Sequence, residues 1–196
     1  MKLWIRMFVV MMKANDSWIF RLDRESVKLF ARLRTRRRVW NRIFRVLARY
    51  GPGLLFAEMA ALLAWSLATD RAVFPAVSLS VFTAVVSALC TKIVIDQLAR
   101  RLDRARPFVS LGYEPLIAKN PKDPSFPSNH AGGAFALGTS LALSFPHILA
   151  ITFCLALLIV LARLYAGLHY LTDVVAGGMI GAVVAVVWWL VLYRIL

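Results

Sequence analysis

The stretch AVFPAVSLSVFTAVVSALCT, residues 72–91, runs for twenty residues without a charge. At about 1.5 Å per residue, a helix of that length crosses the roughly 30 Å hydrocarbon layer of a bilayer. Composition points the same way. The 196-residue chain is 60% hydrophobic with a mean hydropathy of +0.69, whereas soluble domains are about 45–50% apolar. That is more apolar material than a water-surrounded core can cover, so the solvent is a membrane.

Working outward, Pro52–Thr69 is a second apolar run, interrupted by Glu58, and Val174–Tyr193 is a third. Ala131–Ala162 lacks charged side chains but is broken at Pro146 and His147, which reads as a hairpin of two shorter helices. The expectation is an all-α polytopic membrane bundle of about five transmembrane helices. Gly132, Gly133, Ala136 and Gly138, and then Ala176, Gly177, Gly178 and Gly181, are small enough for helices to pack closely. Cys90 and Cys154 both lie in apolar stretches and suggest neither a disulfide nor a metal site.

The net charge of +14 is unevenly placed: fourteen of the 24 Lys and Arg residues fall at or before Arg49. Residues 1–49 are therefore read as a basic, amphipathic interfacial region, and 50–196 as the membrane-embedded domain. Beside membrane helices, such a block binds anionic lipid headgroups and helps set topology, in preference to binding nucleic acid. Met1–Met12 has a basic start and an apolar body but no small-residue cleavage site after it, so it reads as an interfacial helix or anchor.

Chemistry gathers at three helix boundaries: Arg104, Arg106 and Pro107; Pro127-Ser128-Asn129-His130; and Arg163, His169 and Asp173. With five helices in alternation, all three open on one face. Arginine forks suit phosphate oxygens. Ser128 is placed to cap a helix whose free N–H groups favour an anion. A neutral imidazole, His169, can attack phosphorus while Asp173 holds its other nitrogen. The second, His130, can protonate the departing oxygen. Such a set performs phosphoryl transfer, and the remaining acidic residues are too scattered for a two-metal site. Lys92, Asp96 and Arg100 recur at i, i+4, i+8 and read as an ion pair on one helix face, with a functional role as the alternative. His147 reads as structural, and Glu58 has no evident role.

These segments resemble the three-part signature of the type 2 phosphatidic acid phosphatase superfamily: K-x6-R-P, then P-S-G-H, then S-R-x5-H-x3-D. Arg106-Pro107, Pro127 to His130, and Arg163, His169 and Asp173 match in order and spacing over roughly residues 50–193. Asn129 stands for the usual Gly, Ala162 for Ser and Ala99 for Lys. The resemblance implies that His169 is the nucleophile, Asp173 its orienting partner and His130 the general acid. Arg106, Arg163, Ser128 and the backbone at Asn129 would bind phosphate, with no metal and no cofactor. Arg100 or Arg104 would replace the missing Lys, with Arg104 favoured.

Within that superfamily, Tyr50-Gly51-Pro52, the Arg-Pro-Phe at 106–108 and Ser125–Ala131 (SFPSNHA) resemble bacterial undecaprenyl-diphosphate phosphatases, implying an isoprenyl diphosphate substrate and a place in the cell membrane. Phosphatidate and phosphatidylglycerophosphate are the alternatives, and a non-catalytic lipid-phosphate binder is the rival class. Positive-inside logic puts the basic block and the site together on the cytoplasmic side, whereas carrier-lipid recycling calls for a site on the outer face.

Overall fold

The computed structural model describes residues 18–195, so the expected anchor at Met1–Met12 lies outside the described residues. Among those described, every regular element is helical. Two basic helices come first, α1 (Trp18–Arg36) and α2 (Arg38–Tyr50). The membrane helices follow as α3 (Pro52–Thr69) and α4 (Phe74–Leu102). A short α5 (Pro107–Ser110) interrupts the long loop, and α6 (Asn129–Ser144), α7 (Leu149–Tyr165) and α8 (Leu171–Ile195) complete the bundle.

Boundaries follow local chemistry. Pro52 and Pro75 sit in the first turns of α3 and α4, where a missing N–H costs no helical bond. Asp103 ends α4 in a left-handed conformation, φ 40°. Phe145 is extended ahead of Pro146, as steric conflict with the ring requires, and this stops α6.

Four helical stretches, beginning at Pro52, Phe74, Pro146 and Leu171, are long and apolar enough to cross a bilayer. The chain is a multi-pass membrane protein. The expected fifth crossing differs: α6 has 16 residues, about 24 Å, short of the hydrocarbon thickness. It sits instead in the middle of the bundle, against α4, α7 and α8. Large apolar residues such as Phe82, Ile93, Met179 and Val183 face outward from α4 and α8, where lipid takes the place of a protein core. By contrast α4, at 29 residues or about 44 Å, overshoots the membrane, and its last turns carry Lys92, Asp96 and Arg100.

Glycine sets the closest approach. A Cβ on Gly181 would collide with the carbonyl of Gly132, and one on Gly177 with the backbone of Ser128. Helices α6 and α8 therefore meet backbone to backbone, as small-residue membrane interfaces do. Glu58, unexplained in the sequence, accepts a 2.6 Å hydrogen bond from the Thr152 hydroxyl across α3 and α7.

The basic helices do not lie apart from the bundle. Phe44 stacks on Tyr165 with ring centroids 4.2 Å apart, and the Tyr165 hydroxyl donates to Asn41 Oδ1 at 2.7 Å. Since α2 meets the C-terminal end of α7, the Arg-rich segment occupies the same end of the bundle as the three polar motifs.

Candidate active site

The C-terminal part of α4, the N-terminus of α6, the end of α7 and the loop before α8 surround one polar cavity of about 410 Å³. Of the residues singled out in the sequence, Arg106, Asn129, His130, Arg163 and His169 line it. All three motifs are thus represented around a single space.

His169 is 3% exposed. Its Nδ1 lies 2.9 Å from the carbonyl oxygen of Ser125. A carbonyl only accepts, so Nδ1 carries the proton and Nε2 carries the lone pair. Arg106 Nη1 stands 3.3 Å from that Nε2. The guanidinium is fixed by three carbonyl acceptors: Asp123 at 3.1 Å, Leu168 at 2.9 Å and Pro124 at 3.1 Å. A charge held this way needs no reorganisation when an anion arrives.

Arg163 is buried at the end of α7 and donates from Nη1 to the Ala48 carbonyl at 2.7 Å, while its Nε has no acceptor. A phosphate oxygen in the cavity would satisfy that donor.

Three expected residues are placed differently. Asp173 is fully buried, and its Oδ2 lies 3.6 Å from His169 Nδ1, beyond hydrogen-bonding distance. The Ser125 carbonyl orients the ring, and the carboxylate acts on it through charge. Asp173 itself accepts from the Ser125 hydroxyl, from the Tyr170 N–H at 2.8 Å and from Arg104 at 2.6 Å.

Ser128 does not line the cavity. It is fully buried as the cap of α6, receiving the Ala131 N–H at 3.5 Å, and its own N–H donates to the Asp173 carbonyl. Arg104, favoured as the substitute for the missing lysine, also turns away from the cavity, because two buried carboxylates, Asp23 and Asp173, hold it. The cations that do line the cavity alongside Arg106 and Arg163 are Lys92, Arg100 and Lys119.

Lys92 and Asp96 are paired, as expected from their spacing, but the pair also builds the cavity wall. Asp96 accepts from Asn129 Nδ2 at 2.7 Å. The side chain that stands for glycine in the second motif thereby anchors α6 to α4. Sequence reading missed Lys119 and Ser125 in the long loop and Asp23 on α1. The proximity of none of these follows from spacing.

Electrostatics follow from enclosure. Burial pushes the His169 imidazole below its ordinary value, with Asp173 opposing and Arg106 and Arg163 reinforcing the shift. His130 is pushed down to about 3, first by burial and then by Arg163 and His169. A cavity that repels protons in this way is suited to an anion.

A second, apolar cavity of about 310 Å³ adjoins this one between α3, α4 and α6. Lys92, Asn129 and His130 line both, and Leu55, Phe56, Val85, Leu89 and Leu137 continue the apolar wall. An anionic head and an apolar chain could therefore be held end to end.

The family model described as the PAP2 superfamily matches residues 76–196. Among solved structures, the chain is similar to a transmembrane PAP2-type phosphatidylglycerolphosphate phosphatase from Bacillus subtilis, with a TM-score of 0.67 and 19% identity over 99% of this chain and 96% of the other. It is also similar to LpxE of Aquifex aeolicus, with a TM-score of 0.57 and 25% identity over 86% and 94%. A bacterial vanadium-dependent iodoperoxidase shares the fold, with a TM-score of 0.67 and 16% identity over 90% of this chain and 50% of that one. A comparison with curated proteins finds no match.

Proposed function

The chain belongs to the PAP2 superfamily, and on that premise we propose that it is a membrane lipid phosphatase acting through a phosphohistidine without a metal ion. The substrate we propose is an isoprenyl diphosphate, undecaprenyl diphosphate, hydrolysed to undecaprenyl phosphate. The observation that carries the reading is the His169 lone pair, fixed by the Ser125 carbonyl and set beside Arg106 in a cavity shared with His130.

In the proposed reaction His169 Nε2 attacks the terminal phosphorus and the bond from phosphorus to the bridging oxygen breaks. The departing oxygen takes its proton from the His130 imidazolium. His130, now neutral, accepts a proton from water as that water attacks the phosphohistidine. Inorganic phosphate leaves and His169 is regenerated. Arg106 and Arg163 neutralise the equatorial oxygens throughout. In the empty site His130 is neutral at pH 7. A phosphate dianion between His130 and the arginines reverses the sign of the local field, so substrate binding protonates the acid it needs.

Two features support a diphosphate. Lys92, Arg100 and Lys119 add cations around the cavity beyond the two arginines needed for one phosphoryl group, and the adjoining apolar groove suits a hydrocarbon chain. A specific observation favours a second substrate, phosphatidylglycerophosphate. The basic helices α1 and α2 share the site's end of the bundle, and positive-inside logic makes that end cytoplasmic. The B. subtilis structure of similar fold is a phosphatidylglycerolphosphate phosphatase. We further propose that exposed Arg38, Arg42 and Arg45, beside exposed Val39, Trp40 and Ile43, bind anionic headgroups at the membrane surface.

The test is phosphate release by detergent-purified protein from undecaprenyl diphosphate, phosphatidate and phosphatidylglycerophosphate, each with and without EDTA. Turnover is expected to survive chelation and to fall by at least about a thousandfold in His169→Ala. Chelator-sensitive turnover, or an active His169→Ala protein, would overturn the mechanism.

A further inference from the structure

Behind the site lies a buried polar chain that begins on α1, outside the region matched by the family model. Asp23 is 1% exposed. Its Oδ1 accepts the Thr172 N–H at 2.9 Å, and its Oδ2 accepts the Thr172 hydroxyl at 2.6 Å and Arg104 Nη2 at 2.6 Å. Arg104 Nη1 donates to Asp173 Oδ1 at 2.6 Å, and its guanidinium lies 4.0 Å from the centroid of the Tyr170 ring. Asp173 Oδ2 then receives the Ser125 hydroxyl and the Tyr170 N–H, while the Ser125 carbonyl holds His169.

We propose that Asp23 and Arg104 are positioning residues for the reaction at His169, linking helix α1 to the nucleophile through Asp173. The inference rests on the phosphatase reading above. Its physical content is charge balance. A single guanidinium against Asp173 alone would neutralise the carboxylate that faces His169. With Asp23 sharing Arg104, the three groups together keep one negative charge, and that charge stabilises the positive imidazole formed as phosphorus is attacked. Asp23 also receives the Thr172 N–H in the first turn of α8, one of the free donors of a helix start, so it fixes the turn that carries Asp173.

The groups facing His169 are Asp173 from α8, Arg106 from the long loop, Arg163 from α7 and His130 from α6. Three of the four are cationic or can become so. Removing the Asp23 charge therefore leaves a more positive surround, which lowers the His169 pKa. In the full-length protein, Asp23→Asn is expected to lower kcat about 10- to 100-fold with KM within about twofold. The acid limb of kcat/KM should move to lower pH by about half a unit or more.

A purely structural role would lower the thermal midpoint without moving that limb. Asp23→Asn with wild-type kcat, or with reduced kcat and an unmoved limb, overturns the inference. Should Asp23→Asn not be recovered as a monodisperse protein, Asp23→Asn/Arg104→Gln removes one charge of each sign and carries the same test. It is expected to keep the wild-type limb with kcat reduced at least about tenfold, and a pair with wild-type kcat overturns the inference. A wild-type protein that releases no phosphate from the substrate panel overturns the phosphatase reading itself, whereas an active wild type with unaltered variants overturns only this inference.

Discussion

At the scale of single residues, the site turns on which histidine carries a proton and when. His169 must attack as a neutral base, and burial lowers its pKa. The sign is direct: a lowered pKa keeps the ring unprotonated to lower pH. The acid limb of kcat/KM should thus lie below the ordinary imidazole value of about 6.5, and a pH–rate profile on purified protein measures it. His130 behaves in the opposite sense on ligand binding. From about 3 in the empty site its pKa rises when an anion sits among Arg106, Arg163, Lys119 and His169, so anion binding takes up a proton. Affinity then increases as pH falls from about 7 toward 5. Sulfate, whose own charge is constant over that range, isolates the effect. Its inhibition constant should fall on acidification, and a pH-independent value would contradict the linkage.

At the scale of elements, the N-terminus of α6 and the first turns of α8 are locked by contact rather than by side-chain chemistry. Gly177 lies against the backbone of Ser128, the cap of the helix that presents Asn129 and His130. Gly177→Ala forces backbone apart from backbone. It should cost about 1–3 kcal/mol or more and reduce turnover by displacing His130. Gly53→Ala, in α3, meets open space and should leave stability unchanged or slightly higher, because alanine favours helix. Thermal unfolding in detergent, read beside phosphate release for both variants, checks the pair. The polar seam at the end of α4 acts similarly. Asn129 joins Asp96, and Asp96 holds Lys92, so the helix that overshoots the membrane is tied to the helix that opens the cavity.

At the scale of the whole molecule, the bundle orders its helices so that every motif ends at one face. The helical N-terminal region packs on that face through Arg163 and Ala48, Arg34 and Ala166, and Tyr165 and Asn41. Site and basic region therefore face the same compartment, and labelling one locates the other. A cysteine introduced as Arg42→Cys, in a background lacking Cys90 and Cys154, should react only from the cytoplasmic side if positive-inside logic governs. Labelling from outside would instead favour carrier-lipid recycling at the outer face. The same experiment thus discriminates between the two substrate readings.

The membrane class and the principal apolar helices were legible in the linear chain because hydrocarbon thickness fixes a run length, and run length is a local property. Three of the motif histidines and arginines were legible for a related reason: His169, Asp173 and Arg163 lie within eleven residues, so one loop between two helices keeps them near. The sequence did not reveal that α6 is too short to cross alone, because an unbroken apolar composition hides how many residues the Ser128 cap and Pro146 leave between them. Nor did it reveal that Arg104 points toward Asp23 rather than the cavity, or that a Ser125 carbonyl rather than Asp173 holds the imidazole. Those choices join residues such as Asp23 and Thr172, 149 positions apart. Which carboxylate a buried guanidinium meets depends on how helices pack, and only the tertiary structure decides that.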